Sequence, residues 1–209
     1  MRCATLALVI TMLSPAVLPA AEPGVVFEDS FTGKMDEGWS WLREDPDAWR
    51  LKDDGLEIRV QPGNAATVRN ALVRTAPDRS QGKYAIEVTV TSYALPKIQY
   101  EQAGITWYVD GKPAFKLVKE LVDGKLVIVP GHVPVKDDEF KTIQLRLIVT
   151  ADSWTAQFRP DAQGEFQTAG TGKLAAPQND QVSIQCYHGP TDVEHWIRFD
   201  DFRIVRLGE

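Results

Sequence analysis

Apolar and polar side chains alternate along much of this chain. Tyr84, Ile86, Val88 and Val90 share one phase, with Ala85, Glu87 and Thr89 on the other. Ile143, Leu145, Leu147 and Val149 do the same against Gln144 and Arg146. A period of two with one apolar face is the pattern of antiparallel strands packed on one side. Extended along the chain, it predicts strands over 25–29, 56–61, 72–74, 83–91, 104–109, 115–120, 125–129, 141–150, 154–159, 182–187 and 196–206. Asp110-Gly111 and Asp123-Gly124 sit between predicted strands, and Asp53-Asp54-Gly55 leads into another. Such pairs favour tight hairpins because Gly tolerates positive φ. In the last strand, Ile197 and Phe199 share a face but Phe202 and Ile204 fall on the opposite phase, which predicts a bulge at Asp200-Asp201. Short strands joined by turns, with no long helical period, predict an all-β, two-sheet antiparallel sandwich or jelly roll.

The first residues break this pattern. Met1-Arg2 precedes an apolar run from Ala4 to Leu13, and Pro15, Pro19 and Ala20-Ala21 follow. A positive start, a short apolar core and a small-residue end are the marks of a secretory signal peptide over 1–21. The apolar run is short of the roughly 20 residues that span a bilayer. The expectation is an exported, periplasmic or extracellular chain with a single domain over 22–209 and no membrane attachment after cleavage. Cys3 would leave with the leader, so Cys186 would stand alone and no intrachain disulfide could form. The formal net charge is −6, and loss of Arg2 makes it −7. That sign argues against nucleic acid, which calls for a basic stripe, and against an anionic membrane surface. It leaves a neutral ligand or a cation.

Several segments carry a family likeness. Phe27-Glu28-Asp29-Ser30-Phe31, the stretch from Gly38-Trp39-Ser40-Trp41 to Trp49-Arg50-Leu51, and Glu101-Gln102-Ala103-Gly104-Ile105 are the most specific. Asn70-Ala71-Leu72-Val73-Arg74 and the closing run from Trp196 to Ile204 agree with them. Together they resemble concanavalin-A-like lectin and glucanase domains, above all the β-xylosidase C-terminal-like domain of glycoside hydrolase family forty-three and related domains of unknown function. The resemblance implies a jelly roll with its first and last strands adjacent and a concave face that often meets carbohydrate. It does not bring the catalytic propeller of the xylosidases, for which this chain has no room.

Candidate chemistry follows from these segments. Trp41 beside Arg43 can offer a sugar a stacking platform and a hydrogen-bond donor, or can cover one end of the core as Trp39 and Trp49 would. Alternation puts Tyr100, Gln102, Thr106 and Tyr108 on one face of a strand, opposite Glu101, Ala103, Ile105 and Trp107. The first set suits a ligand groove, or an ordinary solvated sheet face. Lys116 and Glu120 share one face of the next strand, and Lys119 takes the other; Glu120 or Lys119 would line the groove. Tyr187 and His188, at a strand end, can contact ligand or decorate a turn, and alternation places Cys186 on the face of His188. Glu28, Asp200 and Asp201, close together if the terminal strands pair, are candidate oxygen ligands for a structural calcium. No other cofactor is expected, and the histidines lack zinc spacing. The glucanase motif Glu-x-Asp-x-x-Glu of the resembled superfamily is absent. The expected function is therefore an exported, non-catalytic carbohydrate-binding or accessory domain for neutral oligo- or polysaccharide. The alternatives are an atypical glycoside-cleaving enzyme, of the keto-sugar hydrolase kind, and a structural or protein-interaction module.

Overall fold

The computed structural model describes residues 24–160 and 162–208; the expected leader over 1–21 lies outside the described residues. All ladders are antiparallel, and they form two sheets. In the first sheet, strands run in the order β13 (Gln167–Lys173), β12 (Ser153–Arg159), β11 (Thr142–Val149), β6 (Lys83–Ser92), β15 (Trp196–Leu207), β4 (Gly55–Arg59) and β3 (Trp49–Lys52), with β1 (Gly24–Asp29) also paired to β15. The second runs β10 (Val133–Pro134), β9 (Lys125–Val129), β8 (Lys112–Val122), β7 (Gln102–Val109), β14 (Gln181–Tyr187), β5 (Ala71–Thr75) and β2 (Ser40–Leu42). This is the expected jelly-roll sandwich, with first and last strands side by side.

Alternation decides which atoms meet between the sheets. Ile86, Val88 and Val90 of β6, Leu145 and Leu147 of β11, and Phe199, Phe202 and Ile204 of β15 enter one core with Ile105 and Trp107 of β7, Leu117 of β8 and Ile184 of β14. Burying each large apolar side chain stabilises the fold by about 1.5–3 kcal/mol. The bulge sits where the phase switch places it: register shifts between Asp200 and Arg203, and Asp201 takes φ +50°. One extra residue returns Phe202 and Ile204 to the core side. Both Asp-Gly turns form hairpins with positive φ at each central residue, 49° and 71° at Asp110-Gly111 and 48° and 72° at Asp123-Gly124. That conformation matches strand twist.

All eleven expected strands are present. The alternation missed β2, β3, β10 and β13, which are short or rich in Gly and Thr, and the five-residue helix α1 (Asp137–Lys141). Gly104 explains the Glu-Gln-Ala-Gly step. At φ +152° a Cβ there would lie 2.4 Å from the Leu117 carbonyl oxygen and 2.8 Å from Leu145 Cδ1, so the core tolerates no side chain at this point.

Candidate ligand cleft on the outer face of the second sheet

The register of the second sheet sets three strands of polar side chains against each other. Gln102 of β7 lies between Glu120 of β8 and Tyr187 of β14, and Thr106 lies between Lys116 and Ser183. All point away from the core. Lys116 Nζ reaches along its strand and donates to Gln102 Oε1 at 2.7 Å and Glu120 Oε2 at 2.9 Å. Gln102 Nε2 donates to Glu120 Oε1 at 3.0 Å and to the Tyr100 carbonyl at 2.8 Å. This closed ring of hydrogen bonds is fixed and carries no net charge.

Around it lies an open cleft of about 460 Å³, with Gln102, Lys116, Glu120 and Tyr187 as its floor. Tyr100, His132, His188, Asn64 and Ala65 form its rim, and Val122 and Val129 an apolar side. Glu120 is the one carboxylate among the lining residues. The rings of Tyr100 and His188 meet edge to face at 6.0 Å. Three rim residues hold left-handed backbone: Tyr100 at φ +69°, His132 at +52° and His188 at +65°. For bulky L-residues this costs about 1–2 kcal/mol each, and such conformations cluster at ligand sites. Tyr187 is buried apart from its tip, and among the described residues nothing hydrogen-bonds its hydroxyl. Burial, reinforced by the Glu120 carboxylate and Tyr108, pushes its ionisation upward. It stays a neutral phenol that can donate and accept.

Four of the expected ligand residues, Tyr100, Gln102, Glu120 and His188, thus converge on one cleft. Three do not. Tyr108 faces the same side but is 2% exposed, and its hydroxyl donates to Gln185 Oε1 at 3.0 Å. Trp41 pairs with Leu72 and turns inward, its ring tilted against that of Trp49 at 4.9 Å and packed on the core. Arg43, exposed and at φ +56°, donates through Nε to the Val68 carbonyl at 2.6 Å and so ties down the 61–70 loop. The core-covering role also holds for Trp39, whose Nε1 donates to Asp29 and whose ring abuts Phe202 at 4.8 Å.

Two further expectations change. Lys119 points into the sandwich and is buried; its Nζ donates to the carbonyls of Val90, Phe140 and Lys141. Desolvation holds its ionisation well below the ordinary lysine value. Cys186 and His188 do not share a face. Cys186 is sealed in the core, its Sγ 3.7 Å from the Ile58 carbonyl, and burial pushes the thiol upward, while the left-handed turn at His188 swings the imidazole to the cleft.

Glu28, Asp200 and Asp201 do not make a ligand set. Asp200 accepts from Arg198 at 2.8 Å, whereas Glu28 and Asp201 are exposed and flank a separate depression of about 440 Å³. Asp29 beside them is already engaged by the Phe31 and Asp36 amides and the Trp39 indole. Among the described residues no group of three or more His, Cys, Asp or Glu side chains is placed to hold a metal ion.

The fold has solved counterparts. Bacteroides ovatus xyloglucan PUL GH43B superposes with TM-score 0.67 and 16% identity, over 92% of this chain and 41% of that one. The GH43 protein BlXynB of Bacillus licheniformis gives 0.69 and 17%, over 86% and 39%. This chain therefore spans about two fifths of the length of those proteins. The alginate lyase from Klebsiella pneumoniae, at TM-score 0.56 and 11% identity, is matched over 82% of this chain and 96% of its own. No family model and no curated protein matches the sequence. At these identities the likeness establishes a concanavalin-A-like sandwich, and the expected resemblance to sandwiches of family 43 proteins is met in three dimensions.

Proposed function

We propose that this chain is a carbohydrate-binding module that acts after export and holds a neutral oligo- or polysaccharide in the Tyr100–Gln102–Glu120–Tyr187 cleft without cleaving it. One observation carries the reading: a rigid, charge-neutral polar floor set between aromatic side chains in an open cleft on a sheet face. Sugar hydroxyls need donors and acceptors in close alternation, which the Lys116–Gln102–Glu120 ring and the Tyr187 hydroxyl supply. The less polar face of a pyranose needs an aromatic edge or plane, which Tyr100 supplies.

The fold alone does not decide between binding and catalysis, since it serves both. The make-up of the cleft supports binding. Two-carboxylate glycoside hydrolysis needs a second acid about 5–9.5 Å from the first, and Glu120 has none among the lining residues. The binding reading also agrees with the absence, among the described residues, of any helix long and apolar enough to cross a membrane.

The test is a glycan array followed by calorimetry on xylan, xyloglucan and β-glucan oligosaccharides. Micromolar to millimolar binding is expected, weakened about tenfold or more by Tyr100→Ala. Trp41→Ala, in the core, should lower stability by about 3 kcal/mol and leave affinity intact at temperatures where it is folded. Absence of binding across the array, or turnover of a chromogenic glycoside panel, would overturn the proposal.

A further inference from the structure

The polar strip does not end at the cleft floor. Past Gln102 and Tyr187, the outward side chains of β7 and β14 are Gln185, then Thr106 with Ser183, then Tyr108. Gln185 Oε1 accepts from the Tyr108 hydroxyl at 3.0 Å and the Ser183 hydroxyl at 2.9 Å. Its Nε2 has no partner, and neither has Thr106 Oγ1, although both atoms are closed to solvent. Their residues are at most 1% exposed. Elsewhere on this face the register holds Val73 and Val118, so apolar closure was available to the sheet. These two buried donors, in a row continuous with the cleft, have no partner within the fold.

The 61–70 loop packs beside this region. Its Ala65 reaches the cleft rim, and its Val68 packs on Val73 and Tyr187. The loop is tied at its edges by polar bonds, from Arg43 to the Val68 carbonyl and from Gln61 to Asp45. Gly63, at φ +135°, gives it a pivot that other residues rarely adopt.

We infer that Thr106 and Gln185 form an inner subsite, reached when the 61–70 loop lifts, that hydrogen-bonds the hydroxyl groups of a further sugar residue. The inference rests on the carbohydrate reading above and deepens it: the ligand is a chain lying along β7 and β14, not a single sugar at the rim. Tyr108 and Ser183 hold the Gln185 amide through Oε1 and leave Nε2 unpaired, and are positioning residues.

The experiment is calorimetry of the full chain with xylan- and β-glucan-derived oligosaccharides of increasing length, repeated on Thr106→Val and Gln185→Leu. Thr106→Val is nearly isosteric and removes only the unpaired hydroxyl; its folding is checked by thermal unfolding, and Gln185→Leu serves as the second variant. The wild-type affinity should rise about tenfold from disaccharide to tetrasaccharide, and the tetrasaccharide-to-disaccharide ratio should collapse to about one in either folded variant. Wild-type binding that does not depend on length, or a ratio unchanged in Thr106→Val, would overturn the inner subsite while leaving the cleft reading standing. No binding at any length would overturn both.

Discussion

The two outer faces of this sandwich treat buried polar groups in opposite ways. On the first sheet the buried glutamates Glu57 and Glu87 each have a guanidinium partner. Glu87 lies in register between Arg146 and Arg203 and receives both, and Glu57 receives Arg50 together with the Tyr93 hydroxyl at 2.6 Å. Among the described residues none of the unpaired buried polar atoms lies on that face. On the second sheet the Lys116–Gln102–Glu120 ring is satisfied, but the buried Thr106 Oγ1 and Gln185 Nε2 are not. A buried polar group left unpaired costs about 1–3 kcal/mol. A fold that completes its pairs on one face and leaves them open on the other has a structural face and a receptive one.

That contrast can be broken by substitution. The largest effect is expected at Glu87→Ala, which strands two guanidinium groups. Stability should fall by about 3 kcal/mol, toward the low end for buried pairs because both arginines are partly exposed. Denaturant unfolding measures it, and a change below about 1 kcal/mol would show that the ladder is not structural. Next comes Tyr187→Phe. It removes one hydroxyl that no protein group uses, so stability should hold while glycan affinity falls about fivefold to tenfold, the worth of one neutral hydrogen bond. Loss of stability without loss of affinity would assign Tyr187 to the core instead.

A smaller effect concerns pH. Burial pushes the Glu57 carboxyl upward, but the hydrogen bonds from Tyr93 and Arg50 outweigh it and hold it below the ordinary glutamate value. On acidification the unfolded chain takes up that proton first, so folded stability contributed by Glu57 is complete above the ordinary glutamate range and lost as pH falls through the depressed native value. Thermal unfolding of Glu57→Gln should therefore be flatter than wild type below about pH 4.3. Equal slopes would remove Glu57 from the account. The smallest effect is the most diagnostic of the second face. Thr106→Val should raise stability by about 1 kcal/mol, since it removes a buried hydroxyl that has no partner. A large destabilisation would mean that Thr106 already has a structural partner such as bound water.

The sequence carries the sheets well and the cleft in part. Alternation is local, so it assigned β6, β11 and the faces of β7 correctly, and the phase switch alone located the bulge at Asp200-Asp201. What covers a face is not local. Tyr108 and Gln102 share a phase, yet one is closed in and the other is cleft floor, because the second sheet is roofed unevenly by a loop from distant sequence. Trp41 attracts notice as an aromatic beside Arg43, but its register with Leu72 turns it inward. His132 and Asn64 come to the rim from a hairpin and a loop with no periodic signal. His188 escapes strand alternation because its backbone turns left-handed there.

The most direct test of the receptive face is an amide chemical-shift titration of the chain with a binding oligosaccharide identified on the array. Shifts should concentrate at Tyr100, Gln102, Glu120, Tyr187 and His188, with the Glu57, Glu87 and Arg203 region silent. Shifts centred on the first sheet, or confined to residues outside the cleft, would contradict the account.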